Sequence, residues 1–384
     1  MQRFIAQLQQ LLVSAGAGNG PVNWELARQV AASQLSASGD PPVNSRDRDA
    51  VVEALRLSDL WLDPTTSLPS GIRSAAAWNR NEWIYHTLEV WKKLCDPVAA
   101  RMVGAMNELV PEEAQATLGP MRSMMATLGG ALFGGQLGKA LGTLAGEVLS
   151  AGDIGLPLGP AGTAALVPAN IAAYGAGLEV DADQLRLYVA LREAAHQRLF
   201  GHVPWLRGHV LAAVEAYAAG IRVDREAIEE AMRRVDPSDP STMQRLQLDG
   251  IFAPESSPQQ TAALTRLETA LALVEGWVCH VVDTAANGRL PDAVRLAEMF
   301  RRRRAAGGPA EQTFAALVGL ELRPRKLREA AAVWAALTTH RGIEGRDALW
   351  GHPDLLPTQE AFADPETFAR SELDLGDFGD LGQS

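Results

Sequence analysis

Cysteine is almost absent from this chain. Cys95 and Cys279 are the only two among 384 residues, which excludes a disulfide framework and a four-cysteine zinc site alike. Aromatic side chains are scarce too, at 6%, while glycine numbers 35 and alanine is abundant. That balance suits helices packed on small residues better than a β-sandwich. An excess of positive charge is also missing. Lys and Arg total 35 against 46 Asp and Glu, a net charge of −11 with a pI near 5.2. Such a chain repels phosphate backbones and anionic lipid, which argues against sequence-independent nucleic-acid or membrane-surface binding. Residues 358–384 carry seven acids and only Arg370, a local −6 that leaves −5 for the body.

Long apolar runs are lacking as well. The most hydrophobic stretch, Met125 to Leu149, is interrupted by Gln136, Lys139 and Glu147, short of the ~20 mostly apolar residues of a membrane span. Gln7, Gln9 and Gln10 stand where a signal peptide needs an apolar run, and a cytoplasmic location is expected. What is present, 47% apolar and 21% charged residues, describes a globular chain long enough for one large domain or a few smaller ones.

The periodicity is helical almost throughout. Helices are predicted from Asn23 to Leu35 and from Arg46 to Leu60, the second capped by Asn44 or Ser45 and buried through Val51, Ala54 and Leu55. A third begins near Glu82, with Trp83, His86, Thr87, Val90, Trp91 and Leu94 on one packing face. Gly130, Gly134, Gly138, Gly142 and Gly146 recur every fourth residue and predict a smooth helix face against which a neighbour packs closely. The same segment fails as a phosphate loop, because Phe133 and Ala140 occupy positions that need Gly and Ser or Thr. Ala151 to Pro168, rich in Gly and Pro, reads as loop with short extended pieces around Leu156, Leu158 and Leu166. Further helices are predicted over 181–200, 204–219, 225–235, 257–286, 291–303 and 325–340. The run Arg301 to Arg304 reads as a solvated helix end, and the chain beyond Leu356 as loosely docked or disordered.

One pentapeptide carries chemistry: Arg192-Glu193-Ala194-Ala195-His196. In His-Glu-x-x-His, two histidines at i and i+4 hold one zinc ion and the Glu polarises the attacking water. Here Glu193 and His196 are in register, with Arg192 in the first ligand position. The stretch Leu191 to Arg207, with Leu271-Ala-Leu-Val-Glu-Gly-Trp277 and Arg346-Asp-Ala-Leu-Trp-Gly-His-Pro-Asp-Leu-Leu-Pro357, resembles the zincin-like metallopeptidase family of actinobacteria, often described as associated with deazaflavin-coenzyme biosynthesis. The resemblance implies a mainly α, zincin-like helical fold with few or no short strands. It implies an N-terminal helical part over 1–120 and a zincin-like domain over 121–357, while composition adds an acidic, flexible tail over 358–384. It also implies Glu193 as catalytic base, with His196 and Glu275 as zinc ligands.

Arg192 departs from that pattern, since a guanidinium stays protonated and does not ligate zinc. Only His196 and Glu275 remain, one short of the three protein ligands usual for catalytic zinc. His280 and His202 are the candidates for a third, with Cys279, His209 and His352 weighed beside them. Two readings stay open. One is a zinc metallopeptidase that hydrolyses peptides by metal-activated water. The other is a non-catalytic zincin scaffold that binds a peptide or protein, with Arg192 replacing the metal's charge. Because i and i+4 share a helix face, the second predicts a buried Arg192–Glu275 ion pair.

Overall fold

Two asparagines open the first two described helices. Asn23 accepts a hydrogen bond from the Leu26 amide and opens helix α1 (Trp24–Ser38); Asn44 accepts from the Asp47 amide and opens α2 (Ser45–Leu62). Each satisfies an amide that a helix N-terminus leaves without an intrahelical partner. Val51, Ala54 and Leu55 are buried, as their spacing predicts. The computed structural model describes residues 20–108, 119–219, 258–305 and 326–371. The elements that follow are strand β1 (Ser74–Ala77), α3 (Arg80–Glu108), α4 (Gly119–Ala145), β2 (Thr163–Leu166), α5 (Pro168–Gly175), α6 (Ala182–His202), α7 (Pro204–Ala219), α8 (Pro258–Ala286), α9 (Ala293–Ala305), α10 (Leu327–Asp347), α11 (Gln359–Ala363) and α12 (Pro365–Arg370). The fold is mainly α. The helix predicted over 225–235 lies outside the described residues.

The glycine ladder packs as the sequence suggests. A Cβ added at Gly138 would lie 2.4 Å from the Ala27 carbonyl oxygen, and one at Gly134 would lie 2.5 Å from that of Asn23. α4 therefore rests backbone-to-backbone on α1. On α3, Trp83 and Trp91 are fully buried.

β1 and β2 form a parallel pair in register from Ser74↔Thr163 to Ala77↔Leu166. The chain at 149–151 adds antiparallel hydrogen bonds on the far side of β2, Ala151 N–H to the Ala165 carbonyl and Val167 N–H to the Leu149 carbonyl, both 2.9 Å. Leu166 lies in a strand as expected, but Leu156 and Leu158 are buried within the loop. β1 was not expected: Ser-Ala-Ala-Ala has no β-branched or aromatic residue, so pairing rather than propensity sets its conformation.

A single core runs from Val22 to Ala369, and α6 and α8 cross its middle. The Glu275-Gly-Trp run shows why α8 is placed there. A Cβ on Gly276 would lie 2.7 Å from that of Ala330, so the glycine lets α10 close in. Trp277 then donates to Asp347 at 2.8 Å. The chain after Leu356, expected as loose, folds as far as Arg370. Phe362 and Ala369 are buried, and Arg341 donates to the carbonyls of Phe368, Ala369 and Ser371. Net acidity misled there, because apolar residues at helical spacing and one arginine outweigh it. Residues 372–384 lie outside the described residues. Among the described residues no helix is long and apolar enough to cross a membrane.

Candidate functional site

α6 is buried on nearly every side, which places Arg192, Glu193 and His196 at 4%, 0% and 1% exposure. Arg192 and His196 share a face that meets Glu275 of α8, itself 1% exposed. Arg192 Nη2 donates to Glu275 Oε2 at 2.6 Å, and His196 Nε2 lies 2.8 Å from Oε1. The ion pair expected from the i, i+4 argument is there. A further cation was not expected: Arg304 Nη2, from the end of α9, donates to Oε1 at 3.0 Å. Burial alone would push the Glu275 carboxyl up. Arg304, Arg192 and the His196 bond outweigh it and hold the group well below the usual carboxylate range. Arg192 remains charged; burial opposes its charge, but Glu275 and its neighbours raise its pKa well above the ordinary value. Its Nη1 donates to Cys279 Sγ at 3.5 Å, and its guanidinium lies 5.5 Å from the centre of the Phe300 ring.

Glu193 faces the other way. Oε2 accepts the Gly152 N–H at 2.7 Å, and Oε1 accepts Gln197 Nε2 at 2.9 Å. Burial pushes its carboxyl up against the opposing pull of His196, Gln197 and Gly152. The loop it holds is fitted to the site. A Cβ on Gly152 would lie 3.0 Å from Glu193 Oε2, and one on Gly155, at φ +78°, 2.8 Å from Glu275 Oε1. Between them Asp153 takes both arms of Arg303 at 3.0 and 2.9 Å and the Leu149 N–H at 2.9 Å. Although burial works against it, Arg303 keeps the Asp153 carboxyl below its ordinary value. Arg304 also donates to the Asp153 carbonyl.

The arginine run therefore divides. Arg302 is solvated, with a side chain 78% exposed, whereas those of Arg303 and Arg304 are only 19% and 12% exposed. A run of one sign gives no hint of which members turn inward. The acceptors that decide it, Asp153 and Glu275, are distant in sequence.

The remaining candidates do not join the site. His280 Nε2 pairs with Thr338 Oγ1 at 2.8 Å, and burial, with Arg346 nearby, pushes its pKa down to about 4. His202 Nε2 pairs with the Ser70 carbonyl at 3.0 Å. His209 meets the Trp205 ring edge-on, and His352 accepts from the Asp354 amide. Among the described residues no three His, Cys, Asp or Glu side chains form a group able to hold a metal. The donor set around Glu275 does not fit zinc. Its two oxygens are shared among His196 and two guanidiniums, and the first-ligand position holds a fixed cation. His196 Nδ1 is buried without a hydrogen-bond partner.

His196 also lines a cleft of about 350 Å³, bounded by residues 70–73, the loop to Gly162 and the turn from α6 into α7. Gln197, Phe200 and His202 continue its wall.

The profile of the zincin-like metallopeptidase family matches residues 22–369. No curated protein matches. A crystal structure of a “putative hydrolase with a novel fold” from Chloroflexus aurantiacus is similar, with a TM-score of 0.64 and 22% identity over 91% of this chain and 100% of that one. At that identity the likeness shows the fold alone.

Proposed function

The chain belongs to the zincin-like metallopeptidase family, and from that premise we propose that it is a metal-free, non-hydrolytic member whose cleft binds a peptide or protein segment. The observation that carries this reading is the Glu275 carboxylate held by Arg192 at 2.6 Å and Arg304 at 3.0 Å. Two guanidiniums supply the two positive charges that a zinc ion would bring to the same group. They are fixed by hydrogen bonds and by burial, and they need no loading from solution. A zinc ion arriving there would have to displace both and would still have only His196 and Glu275 from the expected ligand set. Glu193 then orders the loop through the Gly152 amide.

A second reading keeps the hydrolase. Burial raises the Glu193 carboxyl above its ordinary value, the direction in which a general acid–base carboxyl is shifted. It requires Arg192 and Arg304 to withdraw from Glu275 when metal and substrate enter.

Metal analysis of the purified chain by mass spectrometry, alongside peptide hydrolysis with and without added zinc, separates the two. The expected result is no stoichiometric zinc and no hydrolysis sensitive to Glu193→Gln. Stoichiometric zinc with turnover abolished by Glu193→Gln would overturn the metal-free reading. In the double variant Arg192→His, Arg304→Ala, zinc affinity should appear, because the fixed charges are gone and the first His is restored. Arg192→His alone should bind more weakly, with Arg304 still on Glu275.

A further inference from the structure

The cleft beside His196 has an uneven charge. Among the described residues its lining includes Arg73, Arg207, His196 and His202 and not one Asp or Glu, in a chain whose acids outnumber its Lys and Arg by 11. The two arginines are tethered to one turn. Arg207 Nη2 donates to the carbonyls of Pro157 and Gly159 at 2.7 and 3.1 Å, and Arg73 Nη2 donates to that of Ala161 at 2.9 Å. Gly159 and Ala161 are two residues apart, so those carbonyls stand within about 7 Å along the chain. Neutral carbonyls orient each guanidinium without cancelling its charge. Among the described residues no carboxylate pairs with either one, and burial alone pulls the Arg207 pKa down. Arg198 and Arg303 are paired instead, with Asp59 and Asp63 and with Asp153, while Arg341 rests on carbonyls as the cleft arginines do.

We propose that the cleft selects an acidic peptide segment, seating a side-chain carboxylate between Arg73 and Arg207 and an apolar neighbour against Phe200. This rests on the reading above that the cleft is the ligand-binding face. Arginine forks suit a planar carboxylate, which accepts paired N–H donors. A nucleic acid is the poorer occupant, because a cleft with two arginines cannot offset the repulsion between a long polyanion and a chain of net charge −11. The polar groups of Gln197 and His202 and the apolar ring of Phe200 along one wall fit an extended chain that alternates acidic and apolar residues.

Fluorescence anisotropy with the full chain tests this, using a short labelled peptide of alternating Glu and Leu, its Gln-for-Glu counterpart, and C-terminally amidated forms of both. The Glu peptide should bind at least about tenfold more tightly than the Gln peptide, as expected for charge-assisted bonds. Arg73→Glu, at an exposed position, should abolish that preference, while Arg56→Glu, exposed on α2 and outside the cleft lining, should leave it unchanged. Salt near 1 M, where screening acts over ~3 Å, should weaken the Glu peptide most. Equal affinity for the two peptides, absence of binding by either, or an Arg73→Glu variant that keeps the preference would overturn the proposal. Loss of binding on amidation would overturn the side-chain assignment, and displacement by inorganic phosphate as complete as by unlabelled Glu peptide would make the occupant a small anion. None of these outcomes bears on zinc at Glu275, so failure here and failure of the metal-free reading are told apart.

Discussion

Two buried carboxylates meet at α8, Glu275 on the helix and Asp347 beside it, and they are served very differently. Asp347 receives one guanidinium: Arg346 Nε and Nη2 reach its two oxygens at 2.7 and 2.8 Å. Its other donors are neutral, namely Trp277 at 2.8 Å, Thr66 at 2.6 Å, and the Ser67 amide and hydroxyl at 2.8 and 3.2 Å. Charge there sums to zero, and every lone pair has a use. Glu275 receives two guanidiniums and an imidazole. Positive charge is in surplus at the position where the family resemblance puts a dication. A balanced cluster needs nothing beyond the fold to account for it. Buried charge is costly by itself, and at Glu275 two guanidiniums place that cost around one carboxylate.

The comparison can be broken by removing one cation from each side. Arg346→Ala strands Asp347 among neutral donors and should cost about 3–5 kcal/mol in urea unfolding. Arg192→Ala leaves Arg304 and His196 on Glu275 and should cost less, about 2–3 kcal/mol, part of it from leaving Cys279 and the carboxylate less well bonded. Equal losses, or a larger loss for Arg192→Ala, would show that the Glu275 site has no spare charge.

Acid sharpens the same contrast. Glu275 is held below its ordinary value of 4.5, so its contribution is fully present above that pH and lost as pH falls through the folded value. Glu275→Gln should therefore be most destabilising near pH 7 and progressively less so below pH ~4. A variant whose deficit is the same at both pH values would sink the claim. Glu193 runs the other way. Its raised pKa makes a contribution present below 4.5 and lost as pH rises through the folded value. A carboxyl stretch of the acid in infrared difference spectra, persisting above pH ~4.5 and absent in Glu193→Gln, checks it.

A last effect, confined to one pH window, concerns His280, between the two clusters in sequence. Its pKa is pushed from 6.5 to about 4, so stability falls as pH drops from 6.5 toward 4 while the unfolded chain gains a proton. His280→Gln should flatten that part of the pH–stability curve. An unchanged slope would remove His280 from the acid response.

Much of this was legible in residue order. Helix starts at Asn23 and Asn44, the glycine ladder and the Arg192–Glu275 pair follow from capping, four-residue spacing and a shared helix face. β1 was not legible, because nothing in Ser74 to Ala77 prefers a strand and its partner is β2, far along the chain. Arg303 and Arg304 were illegible for a related reason. Four consecutive arginines look alike until folding brings Asp153 and Glu275 to the last two. The docking of Phe362 and Ala369 was obscured by the acids around them.

Glu275 and Trp277 stand two residues apart on one helix and so point about 160° away from each other. One reaches the arginine surplus and the other the Asp347 cluster, with Gly276 holding α10 against the backbone between them. The helix therefore works like an axle with a spoke on each side. Any rotation that frees Glu275 from Arg192 and Arg304 also drags Trp277 against Asp347. The two buried carboxylates are thereby joined through three consecutive residues of one helix.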